Sequence, residues 1–407
     1  MKVLQINNRY FRGGGADVVY FSTGNLLESK GHEVVYFSRH SSNAEPYRLD
    51  SFFAPDTEQF GLIKSASLYF NNTEAAKVLD KLLTKEHVDI AHAHLMWGGL
   101  SASIIPVLHK HGVPLVHTVH DYRMICPAYT FRNGYGEVCE KCKGGNFMQC
   151  YKNRCSKGKT LESWMMALEM YYRNYKWHPA MNLDGIIYVS KFAKGKHEEV
   201  DPRFVNTHNI VLYNFTTIGE LYPPVEKDSG YYLYYGRLSY EKGINTLLEA
   251  FAAFPDLRLK VVGAGPKENE LKRKEYKNVE FLGFKSGREL YDLVRNARFV
   301  CVPSEWYENN PMTVVEAYSM GVPVIGARIG GIPEIVEEGI TGFLFDSGKK
   351  ESLIDTLRKS LDLDEYHHSE MKKHSRQFAD KHFNKDVYVE RLLDFYNKII
   401  TDFKEKR

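Results

Sequence analysis

Short apolar runs alternate with longer segments of helical periodicity along most of the chain. In the first half these runs lie at 2–7, 33–38, 89–94, 114–120, 185–189 and 210–213. Short apolar runs separated by helical segments are typical of the parallel strands of an α/β sheet. The pattern therefore predicts one strand for each run, with helices that cover the sheet.

The same alternation starts again after a break in composition. Residues 220–230 hold two prolines and four charged residues with little apolar content, which is typical of a linker. Beyond it, apolar runs lie at 231–235, 258–263, 279–282, 298–302, 323–327 and 342–345. A chain of 407 residues is too long for one ordinary core and fits two domains of roughly 200 residues each.

The last segment of the chain has a helical pattern of its own. Its apolar residues recur at spacings of three and four: Val389, Leu392, Leu393, Tyr396, Ile399, Ile400 and Phe403. This spacing predicts a helix that buries one face.

Composition and charge narrow the class of protein. Apolar residues make up 43% of the chain and charged residues 26%, as in an ordinary globular protein. A net charge of +3 is too small to indicate nucleic acid as the main partner. No run of about 18 apolar residues is present, and a strand starts at the second residue in place of a signal peptide. The sequence therefore predicts a cytoplasmic protein with reduced thiols.

Two glutamates flank the segment with the most chemical information. Glu308 and Glu316 enclose Asn-Asn-Pro-Met-Thr-Val-Val, and Pro311 suits a helix start because it has no N–H to leave unbonded. Glu308 then lies in the entry loop and Glu316 on the helix, so the two carboxylates can bind different hydroxyls of one ligand. The amides of Met312 and Thr313 would face an anion. Glutamates near a helix start are also common caps, so the spacing alone leaves both interpretations open.

Two cations lie beside the end of a predicted strand. The strand at 231–235 leads into Gly-Arg-Leu-Ser-Tyr-Glu-Lys-Gly, so Arg237 and Lys242 flank its carboxyl end, where open α/β sheets bind ligands. Arg offers a planar fork to phosphate oxygens and Lys adds a point charge. Taken alone, each residue is more simply explained as a solvated surface cation.

Two features follow predicted strands in the first half. Gly13, Gly14 and Gly15 separate the first strand from a helical pattern that begins near Ala16, so a ligand can approach the backbone closely. A tight turn explains these glycines about as well, because their spacing is not that of a dinucleotide fingerprint. His120 should emerge at the carboxyl end of the fourth strand, although a lone histidine there is more often a turn or capping residue.

Five cysteines cluster within 30 residues: Cys126, Cys139, Cys142, Cys150 and Cys155. Cys139 and Cys142 have the spacing that lets two thiolates share one tetrahedral zinc. Cys150 and Cys155 would complete a structural site, with Cys126 as a substitute for one of the four. Reduced thiols in an irregular loop are an equally good explanation. A sixth cysteine, Cys301, lies in a predicted core strand and is expected to be a small buried hydrophobe.

A basic stretch precedes an aromatic, Met-rich segment. Six Lys and Arg residues lie within 141–159, and 164–177 is rich in Trp, Tyr and Met. A basic loop beside such a helix can lie on an anionic membrane face, here the inner face of the cell membrane. A core helix after a solvated loop is the simpler interpretation, and we favour it.

Together these motifs resemble those of the retaining glycosyltransferases of family four, also described as group 1 type. The resemblance rests on the segment 236–243, on Glu308 and Glu316 eight positions apart, and on Gly-Gly-Ile-Pro-Glu at 330–334 before Thr-Gly-Phe-Leu at 341–344. It extends along nearly the whole chain.

The resemblance implies a fold and a division of the chain. The fold is GT-B, in which two Rossmann-like α/β domains face each other across a cleft. The N-terminal acceptor domain would span 1–222, with a Cys-rich insertion at 126–155. The C-terminal nucleotide-sugar donor domain would span 223–385, and the helix at 386–407 would cross back to the first domain.

The resemblance also implies roles in the second half of the chain. Glu308 would contact the hydroxyls of the transferred sugar, and Glu316 the ribose hydroxyls. Arg237 and Lys242 would stabilise the departing diphosphate.

The donor loop departs from the pattern of many family members. They have Gly-Phe-Gly after the first glutamate, where this chain has Asn309, Asn310 and Pro311. Asn310, Pro311, Met312 and Thr313 are expected to line the donor site, and the departure bears on the choice of donor sugar.

In the first half, the resemblance assigns the loop of Gly14 and Gly15 to the donor phosphate and the acceptor. It places His120 opposite the transferred sugar, where the imidazole positions the sugar and handles charge or a proton.

The resulting hypothesis is a retaining hexosyltransferase. It would move a sugar from a nucleoside diphosphate to a saccharide or lipid-linked saccharide in cell-surface polysaccharide biosynthesis. Catalysis would require no cofactor, and structural zinc is the one metal considered. The alternatives are an epimerase or a phosphorylase on the same fold, and a carbohydrate-binding protein without catalysis.

Overall fold

The computed structural model describes residues 1–274 and 276–406, which form two compact units. The first unit consists of Met1–Leu212 together with the residues from Val389 onward, and the second consists of Tyr213–Tyr388. The chain thus changes unit at Leu212, upstream of the predicted boundary at 222.

A six-stranded parallel sheet runs through the first unit. Its strands are β1 (Lys2–Ile6), β2 (Glu33–Phe37), β3 (Ile90–Ala93), β4 (Leu115–Val119), β5 (Gly185–Tyr188) and β6 (Asn209–Val211). They lie in the order β2-β1-β3-β4-β5-β6. Every strand predicted for the first half is confirmed to within one or two residues.

Helices connect the strands of the first unit, as parallel pairing requires. They are α1 (Gly15–Ser29), α2 (Leu62–Phe70), α3 (Thr73–Lys85), α4 (Ile104–Lys110), α5 (Met148–Lys152), α6 (Thr160–Lys176), α7 (Pro179–Asn182) and α8 (Lys191–Val200).

The second unit repeats this architecture. Its strands are β7 (Tyr232–Tyr235), β8 (Leu259–Val262), β9 (Val279–Gly283), β10 (Phe299–Val302), β11 (Val324–Ala327) and β12 (Gly342–Phe345), in the order β12-β11-β10-β7-β8-β9. Its helices are α9 (Ile218–Leu221), α10 (Ile244–Phe251), α11 (Glu268–Lys272), α12 (Gly287–Arg295), α13 (Met312–Ser319), α14 (Ile332–Ile335), α15 (Lys350–Leu361) and α16 (Glu365–His382).

Side chains of the second sheet alternate between two buried clusters. Leu233 and Val300 belong to one cluster, while their neighbours Tyr232 and Phe299 belong to the other. Since successive residues of a strand point to opposite faces, both faces of the sheet are covered. This explains why the strands read as continuous apolar runs in the sequence.

The last helix, α17 (Lys385–Glu405), packs on the sheet of the first unit. A Cβ atom on Gly185 of β5 would come within 3.0 Å of Phe395 and Ile399, so the glycine lets the helix approach closely. Tyr396 Oη lies 2.6 Å from Nδ1 of His92 in β3. The helix predicted from the spacing of apolar residues therefore buries its apolar face against this sheet.

Each sheet has a switch point beside its first strand. In the first unit β2 and β3 lie on opposite sides of β1, and in the second unit β8 and β10 lie on opposite sides of β7. In open parallel sheets a crevice forms at the carboxyl ends of the strands at such a point, and it is the usual place for a ligand.

Candidate functional site

Two loops meet at the switch point of the second unit. One follows β7 and ends at Gly243, and the other follows β10. The amide of Glu305 donates to the carbonyl oxygen of Glu241 at 2.8 Å. Gly243 has a φ of +67°, and a Cβ there would lie 1.7 Å from the carbonyl oxygen of Pro303. Only glycine fits between these loops, and this contact places Lys242 beside the second loop.

Lys242 and Glu308 form the centre of the site. Lys242 Nζ lies 2.6 Å from Glu308 Oε1 and 4.9 Å from the centre of the Trp306 ring. The same carboxylate oxygen accepts hydrogen bonds from Ser304 Oγ at 2.8 Å and Trp306 Nε1 at 2.7 Å. Two residues that the sequence suggested separately are thus one hydrogen-bonded group.

These donors hold Glu308 in its ionised form. Burial alone would raise the pKa of Glu308, but the charge of Lys242 and the hydrogen bonds outweigh burial and keep the pKa below its usual value. All three donors bind Oε1, and no hydrogen bond among the described residues ends on Oε2. The second oxygen therefore remains as an acceptor for a ligand hydroxyl.

The backbone of Glu308 is fixed by the predicted Gly-Gly motif. The amide of Gly331 donates to the carbonyl oxygen of Glu308 at 2.7 Å. Gly330 has a φ of +61°, and a Cβ there would lie 2.3 Å from the same oxygen. The glycines at 330 and 331 therefore let one loop pack on another and orient the glutamate.

Glu316 lies on α13, as predicted, and its carboxylate is held differently. Tyr235 Oη, at the end of β7, lies 3.2 Å from Glu316 Oε2 and 2.9 Å from the carbonyl oxygen of Thr313. Burial raises the pKa of Glu316 to about 7, and the hydrogen bond from Tyr235 offsets only part of that rise. Unlike Glu308, this carboxyl changes charge near neutral pH.

The start of α13 differs from the prediction by one residue. Pro311 is the N-cap, with an extended backbone (φ −65°, ψ 123°), and Met312 is the first helical residue. No hydrogen bond from the amides of Met312 and Thr313 is found among the described residues. These two N–H groups remain available to an anion at the helix start.

Asn310 and Arg237 have different surroundings. Asn310 Oδ1 accepts a hydrogen bond from the amide of Asn214 at 2.8 Å, so its side chain fixes the loop. Arg237 is exposed, and its guanidinium has no ion pair or hydrogen bond within the part of the chain that the structure describes. It is an exposed positive charge at the carboxyl end of β7.

The glycine loop of the first unit lies at the other switch point. Gly14 is the N-cap of α1 and Gly15 its first residue. Gly14 has an extended backbone (φ −169°), and the nearest atom to a Cβ there would be Asp17 Oδ2 at 3.9 Å. Neither backbone strain nor crowding within the chain requires glycine at position 14. The amides of Gly13 and Gly14 bond to the carboxylate of Asp17, whose pKa burial raises and these bonds partly lower, so this loop is held by α1.

His120 directly follows β4 and lies 2.9 Å from His94, which directly follows β3. Burial lowers the pKa of His120 to about 3, so the imidazole is neutral at physiological pH. The predicted position at the carboxyl end of a strand is confirmed.

The cysteine segment lies around α5. Cys126, Cys142 and Cys150 are buried, and burial raises the pKa of the Cys126 thiol to about 11. Within residues 1–274 and 276–406, no three His, Cys, Asp or Glu side chains are arranged to hold a metal ion. The structure gives no support to zinc at Cys139, Cys142, Cys150 and Cys155, and that site stays a prediction. Cys301 is buried in β10, as predicted.

Helix α6 combines a buried and an exposed face. Ala167 and Met170 are fully buried, and Arg173 Nε pairs with Glu169 Oε1 at 2.9 Å. On the other side Trp164 and Tyr175 are exposed. The interpretation of this segment as a core helix therefore holds for the buried face of α6 and not for its exposed face. In the described part of the chain, no helix has the length and apolar character needed to cross a bilayer.

Sequence reasoning missed several residues of the site. Ser304, Trp306 and Glu308 alternate after β10, and both earlier residues donate to Glu308. The loop bends between these residues, and the amide of Glu308 donates to the carbonyl oxygen of Trp306 at 2.9 Å, so the sequence offered no local signal for this arrangement. Tyr235 was predicted only as part of an apolar strand.

Comparisons with known proteins identify the family. Residues 13–211 match the model described as Glycosyltransferase Family 4, and residues 223–378 match the model described as Glycosyl transferases group 1. The two matches together cover most of both units, and the chain belongs to this family of glycosyltransferases. The resemblance seen in the sequence is confirmed.

Two relatives illustrate the range of similarity. An uncharacterized glycosyltransferase of Methanocaldococcus jannaschii, MJ1178, is 31% identical over 188 residues, which are 45% of this chain and 51% of the relative. An uncharacterized 42.6 kDa protein in the cps region of Klebsiella pneumoniae is 24% identical over 82% of this chain and 87% of its own length. The match to the first of these relatives spans about half of its length.

Solved structures confirm the fold class. Sucrose-phosphate synthase of Thermosynechococcus elongatus has a TM-score of 0.70 at 17% identity, over 98% of this chain and 99% of its own. HepE of Anabaena, solved in complex with UDP-glucose, has a TM-score of 0.61 at 17% identity and covers 100% of both chains. The two Rossmann-like units are those of the GT-B fold.

Proposed function

We propose that this glycosyltransferase moves a hexose, with retention of anomeric configuration, from a nucleoside diphosphate to a saccharide or lipid-linked saccharide. The group of Lys242, Glu308 and Glu316 at the second switch point carries this proposal. It combines a cation with two carboxylates beside the free amides of α13. UDP-glucose bound to HepE supports a nucleoside diphosphate sugar as the donor.

The negative charge that develops during the reaction explains the role proposed for Lys242 and Arg237. As the glycosidic bond breaks, negative charge builds up on the leaving diphosphate. Lys242 is already fixed by Glu308, so it stabilises that charge without reorganisation, and Arg237 adds a second cation. Interactions that strengthen in the transition state lower the barrier. The leaving diphosphate then helps to take the proton from the acceptor hydroxyl, which attacks from the same face.

The two glutamates accept hydrogen bonds from hydroxyl groups of the donor. Glu308 Oε1 is saturated, so Oε2 accepts from the hydroxyls of the transferred sugar. Its lowered pKa suits a permanent acceptor and does not suit a general acid. Glu316 accepts from the ribose hydroxyls. Gly14, Gly15 and His120 are proposed to contact the phosphate, the acceptor and the transferred sugar.

The acceptor belongs to cell-surface polysaccharide biosynthesis in this proposal, with the enzyme in the cytoplasm. Its support is the Klebsiella relative from a cps region.

We further propose that the enzyme contacts the inner face of the membrane, and the exposed side of α6 supports this. Leu161 and Tyr175 of that helix are 69% and 93% exposed.

The test is a transfer assay with a panel of UDP, GDP and dTDP sugars and saccharide acceptors. We expect one donor to release its nucleoside diphosphate, and the product to keep the donor's anomeric configuration by NMR. A free altered sugar nucleotide would indicate an epimerase, and a requirement for phosphate would indicate a phosphorylase. Donor binding without any turnover would favour a carbohydrate-binding protein. Any of these results contradicts the proposal.

Glu316→Gln should weaken donor binding about 10- to 100-fold at pH 8, because hydrogen bonds to a charged group are lost. The pKa of Glu316 is about 7, so the wild-type carboxyl is protonated at pH 5, and wild type and variant should then bind the donor alike. Calorimetric titration at both pH values checks this. An equal affinity at pH 8 would remove Glu316 from the site.

The same substitution should stabilise the ligand-free protein. Burial raises the pKa of Glu316 above its unfolded value, so its contribution to stability is present at low pH and is lost as pH rises through about 7. Glutamine carries no charge to bury. The melting temperature of Glu316→Gln should therefore be higher than that of wild type at pH 8 but not at pH 5. As a control, Glu289→Gln, on the exposed face of α12, should have the melting temperature of wild type at both pH values.

A further inference from the structure

A chain of hydrogen bonds leads from His120 into the first sheet. His120 Nε2 lies 2.9 Å from His94 Nδ1, and His94 Nε2 lies 3.1 Å from Gln5 Oε1. Gln5, in β1, and His94, after β3, are fully buried. Since β1 and β3 are neighbours in the sheet, both residues lie beside the switch point of the first unit.

The chemistry of these groups gives the chain a direction. An amide oxygen only accepts, so the hydrogen must lie on His94 Nε2. Burial lowers the pKa of both His94 and His120, so each ring is neutral and carries one N–H. His94 Nδ1 is therefore an acceptor, and His120 Nε2 donates to it. His120 is left with Nδ1 as its unprotonated nitrogen.

The other end of the amide lies beside a third imidazole, whose bonds follow from the same orientation of Gln5. Gln5 Nε2 lies 3.5 Å and Tyr396 Oη 2.6 Å from His92 Nδ1, while His92 Nε2 lies 2.6 Å from Thr118 Oγ1. In this orientation His92 Nδ1 accepts from the tyrosine, the amide nitrogen lies at the outer limit of a hydrogen bond, and His92 Nε2 donates to the threonine. Donors and acceptors therefore match along the whole chain, from α17 to His120. Turning the amide over would reverse every one of these bonds.

Neighbouring side chains hold the rings in place. The ring centres of His92 and His94 lie 4.3 Å apart, and those of His94 and His120 lie 5.1 Å apart with an angle of 16° between the planes. Tyr20 packs edge-on against His94 at 5.5 Å. Since packing fixes the rings, the orientation of the Gln5 amide sets the position of the hydrogen.

We infer that Gln5 and His94 are positioning residues that fix the tautomer of His120, with the hydrogen on Nε2 and the lone pair on Nδ1. The consequence for catalysis rests on the proposed function. With the hydrogen fixed on Nε2, the imidazole of His120 can act at Nδ1 only as an acceptor and not as a donor.

The tautomer is measured by NMR on protein labelled with ¹⁵N-histidine, with His120 assigned by comparison with His120→Gln. In ligand-free wild type we expect the chemical shifts of a protonated Nε2 and an unprotonated Nδ1. A hydrogen on Nδ1 would overturn the inference. The wild-type spectrum needs no ligand and no activity, so this result does not depend on the proposed function.

Two variants of Gln5 test the cause. In Gln5→Leu, His94 Nε2 has no acceptor, so the hydrogen moves to His94 Nδ1 and His120 changes to the Nδ1–H form. Gln5→Glu, with its carboxyl held protonated by burial, keeps an acceptor oxygen of the same size and should retain the wild-type tautomer. Tyr20→Phe is the matched control, because the buried hydroxyl of Tyr20 has no hydrogen-bond partner among the described residues and its ring contacts His94. An unchanged tautomer in Gln5→Leu would contradict the inference.

Kinetics test the consequence. Gln5→Leu should lower kcat on the order of tenfold, below the loss expected for removing an acid or base outright, with little change in the KM of the donor. Gln5→Glu should restore most of the turnover, and Tyr20→Phe should behave as wild type. A changed tautomer with unchanged kcat would remove the role of Gln5 and His94 in catalysis.

Discussion

Replacing Lys242 by alanine is expected to lower kcat by about 10²- to 10³-fold, the usual cost of removing one preorganised group that stabilises charge in a transition state. The cation is held 2.6 Å from Glu308 Oε1 and lies over Trp306, so it is in place before the diphosphate leaves. Binding of the nucleoside diphosphate should weaken as well, whereas binding of the nucleoside without phosphates should not change.

Lys260→Ala is the matched control for this prediction. Lys260 also lies near a carboxylate, Glu280 at 4.0 Å, and over an aromatic ring, Tyr231 at 4.2 Å. Its side chain is 26% exposed, against 28% for Lys242. Steady-state kinetics of both variants, with melting curves to confirm folding, decide the matter. Equal losses of kcat in the two variants would indicate a general effect of removing a lysine and not a role in catalysis.

Glu308→Gln should also reduce kcat by about 10²- to 10³-fold, for a different reason. Glutamine offers one acceptor oxygen where the carboxylate offers two, so Ser304, Trp306 and Lys242 compete with the sugar for it. The amide also lacks the charge that holds Lys242. Because Glu308 is proposed to contact the sugar, affinity for the nucleoside diphosphate alone should change much less than turnover.

Glu305→Gln provides the comparison. Glu305 precedes Glu308 in the same loop, is half-buried, and accepts a single hydrogen bond from Thr246 Oγ1 at 2.6 Å. The Glu305→Gln variant should therefore have the kcat of wild type. If Glu308→Gln weakens binding of the nucleoside diphosphate as much as it slows turnover, the proposed contact between Glu308 and the transferred sugar is wrong.

The sequence predicted the sheets because most strands are buried on both faces, and only the edge strands β6 and β9 are half-buried. A continuous apolar run bounded by polar residues marks such a strand, and all twelve predicted runs are strands of the structure. The start of α13 was predicted to within one residue, since Pro311 cannot continue a helix from the preceding turn.

Contacts between distant loops could not be predicted in the same way. The pairing of Lys242 with Glu308 depends on β10 lying beside β7, which is a property of strand order and not of local sequence. Likewise, Gln5 is one polar residue in an apolar strand, and only the neighbouring strands show that it bonds to His92 and His94.

The central claim is that the switch point of the second unit binds a nucleoside diphosphate sugar. Its most direct test is calorimetric titration of wild type, Lys260→Ala and the double variant Arg237→Ala/Glu316→Ala with the donor panel. Arg237 has no partner within the described residues and Glu316 has one hydrogen bond, so the double variant should fold. We predict that one donor binds wild type and Lys260→Ala equally, and the double variant at least about 100-fold more weakly. Equal affinity for all three proteins, or no binding of any donor to wild type, would contradict the claim.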